Sequence, residues 1–134
     1  MPNKPINPGQ LYNAVEFGFS HAVESRGQRT LHLAGQVAWD PECNVVGADD
    51  LAAQTRQALA NLKAVLAEAG AGPEHVVRLR TYIVDHKPEK LGVVLPEIGA
   101  FYDGATPAAN TLIGVAALAM PEFLIEIEAT AVLD

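Results

Sequence analysis

The strongest pattern in the chain is helical. Across residues 50–69, Leu51, Thr55, Ala58, Leu59, Leu62, Val65, Leu66 and Ala69 recur at intervals of three and four, which lines them along one stripe of an α-helix. Asp49 or Asp50 can accept hydrogen bonds from the free N–H groups of the first turn, and Gly70 can take the left-handed conformation that ends a helix. Elsewhere the period falls to two. Residues 29–39 put Leu31, Leu33 and Val37 on one side of a strand, and residues 76–84 put Val77, Leu79, Thr81 and Ile83 opposite Arg78, Arg80, Tyr82 and Val84. A looser alternation over residues 11–17 and β-rich runs over 111–118 and 124–133 predict further strands. Asp40-Pro41-Glu42-Cys43-Asn44 has turn chemistry and leads into a short return strand at Val45-Val46. A second helix is expected over 89–102, with Leu91, Val94, Leu95, Ile98 and Phe101 buried. Pro96, Gly92 and Gly99 weaken it and predict a kink or a broken first half. Residues 1–10 hold three prolines and a glycine and read as an irregular N-terminal arm.

The predicted order is β-β-α-β-α-β-β, an α/β subunit with one mixed sheet and two helices on one face. At 134 residues, 1–134 are expected to form a single domain. Two helices cover only one side of such a sheet, so the other side needs a partner, and assembly of the subunit with itself is the natural remedy. In the last strand Ile125, Ile127, Ala129, Ala131 and Leu133 are expected to face the helices. That sets Leu124, Glu126, Glu128, Thr130 and Val132 on the open face, where Arg78 and Arg80 could pair with the two carboxylates.

Composition narrows the function classes. A net charge of -7 works against a nucleic-acid partner, which needs clustered positive surface. No window approaches the roughly 18 consecutive apolar residues of a membrane span, and nothing at the N-terminus resembles a secretory signal, so no membrane association and a cytoplasmic location are expected. Cys43 stands alone and reads as an incidental thiol in a turn. His21, His32, His75 and His86 lack the short paired spacing of zinc ligands, and no metal site is expected.

Four segments in order carry a resemblance: Gly18-Phe19-Ser20-His21-Ala22-Val23, Leu33-Ala34-Gly35-Gln36-Val37, the helix Gln54-Thr55-Arg56-Gln57-Ala58-Leu59-Ala60-Asn61-Leu62, and Ile125-Glu126-Ile127-Glu128-Ala129-Thr130-Ala131-Val132. From about Phe17 to the C-terminus the chain resembles the Rid (YjgF-like) family. The resemblance implies a chorismate-mutase-like subunit, a homotrimer, and small-molecule clefts at the subunit boundaries. In its best-known branch it implies hydrolysis of reactive imines and enamines without a cofactor. In that branch an arginine of a Pro-Ala-Arg-Ser segment clamps the substrate carboxylate, and a glutamate of the Glu-x-Glu strand positions the attacking water. A tyrosine, a serine and a glycine backbone complete the cleft.

This chain keeps part of that set. Glu126 stands where the water-positioning glutamate would be, and Gly35 still offers its backbone N–H. Asn110, or Ala109 if the gap is placed differently, stands where the arginine would be; Phe19 replaces the tyrosine and Ala34 the serine. Loss of a charge-assisted carboxylate pair costs about 1.5 to 3 kcal/mol, so a neutral or weakly polar ligand suits the remaining pocket better than a carboxylate. The candidate set is Glu126 as catalytic acid or base, with Phe19, His21, Ala34, Gly35 and Asn110 binding substrate. The competing assignments are an interface ion pair for Glu126, a polar rim residue for His21, and backbone satisfaction for Asn110. Two functions remain open at this point: an imine, enamine or related C–N hydrolase, and a non-enzymatic binder of a metabolite or a partner protein. A ribonuclease fits poorly with the acidic charge.

Overall fold

The computed structural model describes residues 3–134. In chain order its elements are β1 (Lys4–Ile6), β2 (Ala22–Glu24), β3 (Arg29–Gln36), α1 (Leu51–Glu68), β4 (Val76–Val84), α2 (Leu91–Phe101), β5 (Ala109–Val115) and β6 (Ile125–Leu133). The main sheet has the order β3-β6-β4-β5, with β6 antiparallel to both neighbours and β4 parallel to β5. The mixed sheet and its two helices match the expected α/β class.

Asp50 caps α1 through its side chain, which accepts from the Ala53 N–H at 3.0 Å. Gly70 follows the helix at φ +75°. The stripe is rotated slightly from the pattern. Gln54, Thr55, Ala58, Leu59, Leu62 and Leu66 are buried, whereas Val65 is exposed. Helix α2 continues through Pro96, and the disruption falls earlier, where Pro88–Lys90 form a 3-10 turn. Val94, Ile98 and Phe101 of α2 join Leu62, Leu66, Leu79, Ile83, Ile125 and Ile127 in the core between helices and sheet.

β6 alternates as expected: Ile125, Ile127, Ala129 and Ala131 are buried under the helices, and Glu126, Glu128 and Thr130 lie on the open face. In β4 the register slips between Val76 and Arg78. This bulge puts Val76 in the core and leaves Val77 only half-buried, a phase change that strict alternation could not show.

The N-terminal third departs most from the pattern. Residues 11–17 are not a strand; Ala14–Phe17 form a 3-10 turn closed by Gly18 at φ +82°. Within the expected irregular arm, Lys4–Ile6 form a strand against β2, and the Asn3 side chain donates to the carbonyls of His75 and Val132. Met1 and Pro2, the start of that arm, lie outside the described residues. The return strand after the Asp40 turn is reduced to one bridge between Trp39 and Val45. Among the described residues no helix is long and apolar enough to cross a membrane.

Candidate functional site

The predicted site residues fall into two groups on opposite faces of the sheet. The first is on the open face. Glu126 is registered to Tyr82 of β4, and on its other side the pairing of β3 with β6 slips between Leu33 and Gln36. That bulge contains Ala34 and Gly35, and it presses the Gly35 backbone against Glu126. A Cβ at position 35 would lie 2.8 Å from Glu126 Cδ and closer still to Oε2. Glycine here leaves room for the Glu126 carboxylate, which an added Cβ would displace. Glu126 makes no hydrogen bond or ion pair among the described residues, so its carboxylate is available to a small molecule.

Glu128, two residues along β6, is engaged instead. The Tyr82 hydroxyl donates to Glu128 Oε1 at 2.5 Å, and Arg80 Nη1 lies 3.9 Å from Oε2. The hydrogen bond to Glu128 holds the Tyr82 phenol above its ordinary pKa, with partial burial adding to it. Arg78 donates to Thr111 Oγ1 at 3.4 Å. Within the subunit the expected charge pairing thus goes to Glu128 and not to Glu126.

The second group lies at the outer edge of β5. Residues 19–21 run beside that strand: Ser20 bridges Ala109 in parallel, its N–H donates to the Ala108 carbonyl, and its buried hydroxyl donates to the Pro107 carbonyl. Phe19 turns toward α2. His21 stacks edge-on against Tyr12 and Phe19, with Nε2 2.9 Å from the Tyr12 carbonyl and its backbone N–H donating to Asn7 Oδ1. Asn110 is registered to Leu79, which faces the core, and its Oδ1 accepts from the buried Thr81 hydroxyl at 3.2 Å. Asn110 therefore points to the helix side. There it lines a cleft of about 370 Å³ with Tyr12, Phe17 and Phe19, Leu91 and Leu95 of α2, and Leu112.

Asn110 does not share a face with Glu126, so it cannot complete the Glu126 site within the subunit. Ala109, registered to Arg78, is the residue that faces the open side. Its register leads through Arg78 to Thr130, four residues along β6 from Glu126. Four residues span about 13 Å and two strand spacings about 10 Å, so Ala109 and Glu126 of one subunit do not reach the same small ligand.

Several residues that shape these sites were not singled out by motif. Gln54, fully buried, donates to the Gly47 and Glu122 carbonyls and accepts from Leu124 N–H, which anchors the chain entering β6 two residues before Glu126. Asn61 donates to the Val37 and Trp39 carbonyls and fixes the chain leaving β3 after Gly35. Both lie in the helix segment that carried the resemblance, but only the packed structure reveals their partners. Tyr12 and Phe17 could have been noticed as a cluster of aromatics with Phe19. Among the described residues no group of three or more His, Cys, Asp or Glu side chains is placed to hold a metal ion.

Comparison with known proteins agrees with this architecture. The family model described as Endoribonuclease L-PSP matches residues 12–133. A RutC family protein of Synechocystis sp. is 35% identical over 116 residues, 86% of this chain and 85% of the relative. The crystal structure of YyfB from Yersinia pestis, a protein of unknown function in the conserved Rid protein family, superimposes with a TM-score of 0.97 at 62% identity. That match covers 99% of this chain and 100% of the other. YyfA of the same organism and family gives a TM-score of 0.71 at 27% identity, covering 97% and 93%. With its sheet order, helix placement and nearly full-length matches, the chain belongs to the Rid (YjgF-like) family and has that family's chorismate-mutase-like fold.

Proposed function

We propose that this protein is a cofactor-independent hydrolase of imines, enamines or a related C–N substrate that carries no required carboxylate, acting at clefts between the subunits of a homotrimer. The observation that carries the reading is the placement of Glu126. Its carboxylate lies against the Gly35 backbone on an uncovered sheet face, without the arginine contact that Arg80 makes to Glu128.

The chemistry asks little of the protein. The substrate reacts as the iminium, an imine protonated at nitrogen or an enamine protonated at carbon by solvent. Glu126 accepts a proton from water as the oxygen attacks the C=N carbon, returns it to nitrogen, and takes the hydroxyl proton of the tetrahedral intermediate as the C–N bond breaks to give a carbonyl and a free amine; that last proton passes to solvent. Neither Ala109 nor Asn110 offers a cation, which separates this chain from the carboxylate-clamping branch. An open-face side chain at 109 is too far from Glu126 of its own subunit, so Ala109 of a neighbouring copy would form the far wall. Assembly is thus part of the site in this reading. It also covers the half-buried open face, whose charged rows pair as Arg80 with Glu128.

The test is to generate enamines or imines in situ and follow carbonyl formation with the parent and with Glu126→Gln. A general acid–base residue contributes about 10²- to 10⁴-fold, and a loss of that size is expected. No rate above the uncatalysed reaction with either protein would leave a non-enzymatic binder, and equal accelerated rates would remove Glu126 from the chemistry. A stable monomer in light scattering at micromolar concentration would contradict the shared cleft.

A further inference from the structure

We infer that the groove between α1 and α2, on the outer side of the helix layer, is a binding site for a small organic monoanion, a carboxylate carried on a single aromatic ring or a short apolar chain. This inference is independent of the reading of Glu126, which lies on the open face of the sheet, and of the cleft beside β5.

The groove follows from two small side chains. Where α1 and α2 pack together, Ala60 and Ala100 are both exposed on the outer side and leave a pit of about 280 Å³ above the buried Leu59 and Phe101. That is room for one ring, close to the lower limit of small-ligand sites. Two cations stand at its walls, and the sequence denies them partners on their own helix. The positions three and four residues from Lys63 are Leu59, Ala60, Leu66 and Ala67, and those from Arg56 are Ala52, Ala53, Leu59 and Ala60, so no carboxylate of α1 can pair with either. Glu97 of α2 reaches Arg56 alone, where its Oε1 accepts from Nε at 3.1 Å. That bond fixes the guanidinium, and the Nη groups donate to no acceptor among the described residues. Lys63 makes no ion pair among the described residues, and its Nζ lies 5.9 Å from the centre of the Phe101 ring, which keeps the ammonium at the groove. The walls thus carry two positive charges against one negative, on a chain of net charge -7. A carboxylate head paired with Lys63 offsets that excess, and Arg56, about two helical turns away, adds a favourable field. An apolar body then covers the alanine and leucine surface of the pit. A cation is repelled by Lys63, a neutral molecule leaves its charge unmatched, and a bare inorganic anion makes no use of the apolar floor.

The experiment is a protein-observed NMR titration with 3-phenylpropanoate, with 3-phenylpropanamide as the neutral counterpart and 3-phenylpropylamine as the cationic one. The carboxylate is expected to bind saturably, shifting the methyl resonances of Ala60 and Ala100 together. The amide should bind about two- to fivefold more weakly, the value of one exposed ion pair, and the amine more weakly still. Lys63→Gln should bring the carboxylate down to the affinity of the amide, and Lys63→Glu should reverse the order of carboxylate and amine. Ala60→Leu fills the pit with a residue that suits an exposed helical position, so it should abolish binding of all three while the fold is kept. Glu126→Gln should change nothing here, so failure of this inference and failure of the hydrolase reading are separate results. Absence of a saturable shift at Ala60 and Ala100, shifts confined to Leu95 and Leu112 of the β5 cleft, equal affinity for carboxylate and amide in the parent, or an unchanged preference in Lys63→Gln would each overturn the inference.

Discussion

Ala109 and Asn110, adjacent in sequence, face opposite sides of the sheet: Ala109 is registered to the exposed Arg78 and Asn110 to the buried Leu79. The parallel pairing of β4 with β5 therefore sets the two candidate clamp positions on opposite faces. Ala109→Arg is expected to gain affinity for 2-oxobutanoate by at most about 1.5 to 3 kcal/mol, because a long side chain must be ordered to form the pair. Asn110→Arg tests the other candidate position, and a gain of that size there alone would place the clamp on the helix side of β5. Calorimetric titration of both variants, with light scattering to confirm their assembly, checks this. Tight binding of 2-oxobutanoate by the parent protein would show that some other cation already serves.

Gly35→Ala tests the contact that shapes the open-face site. The added methyl would overlap the Glu126 carboxylate, which must swing away. Hydrolysis should then fall toward the Glu126→Gln level, while the denaturation midpoint moves less than for a core substitution. Parent-like activity in Gly35→Ala would mean that the carboxylate does not work from this position.

The Tyr82–Glu128 bond has a pH signature. The ionised carboxylate stabilises the protonated phenol, so the folded-state pKa of Tyr82 lies above the ordinary value of 10.0. The contribution to stability is present in full below the unfolded pKa and disappears as pH rises through the folded one. Spectrophotometric titration should show Glu128→Gln bringing a tyrosine back toward the ordinary range. Tyr102, which burial also pushes up, should stay high and serves as the internal reference.

Gln54→Leu should be among the most destabilising single changes of a polar side chain. It leaves the Glu122 carbonyl and the Leu124 N–H without the side chain that pairs them, while the Gly47 carbonyl keeps the Asp50 N–H. Each buried group left unpaired costs about 1 to 3 kcal/mol, so urea denaturation should show a loss of several kcal/mol in total. A change below about 1 kcal/mol would mean that water replaces the side chain.

Much of this arrangement was legible in the chain. The α1 stripe, the alternation of β6 and the two carboxylates on its open face follow from periodicity alone, because burial on one side imposes it. The bulges at Val77 and at Ala34–Gly35 did not, since an inserted residue shifts the phase without changing composition. The same limit governed the choice between Ala109 and Asn110, where the motif leaves a one-residue ambiguity and a one-residue step reverses the face. Phe19 and Glu126 stand in motifs of one family cleft, yet within the subunit one lies under α2 and the other on the open face. The strand at Lys4–Ile6 was hidden because its partner, Ala22–Glu24, is equally short and carries no pattern of its own.

The most direct test of the central claim compares two imines of similar size, one made from a neutral ketone and one from a 2-oxo acid, by the rate of hydrolysis per subunit above the uncatalysed reaction. The account predicts that the neutral imine is hydrolysed at least as efficiently as the 2-oxo acid imine, and that both rates depend on Glu126. A marked preference for the carboxylate-bearing imine, or no acceleration of either, would contradict it.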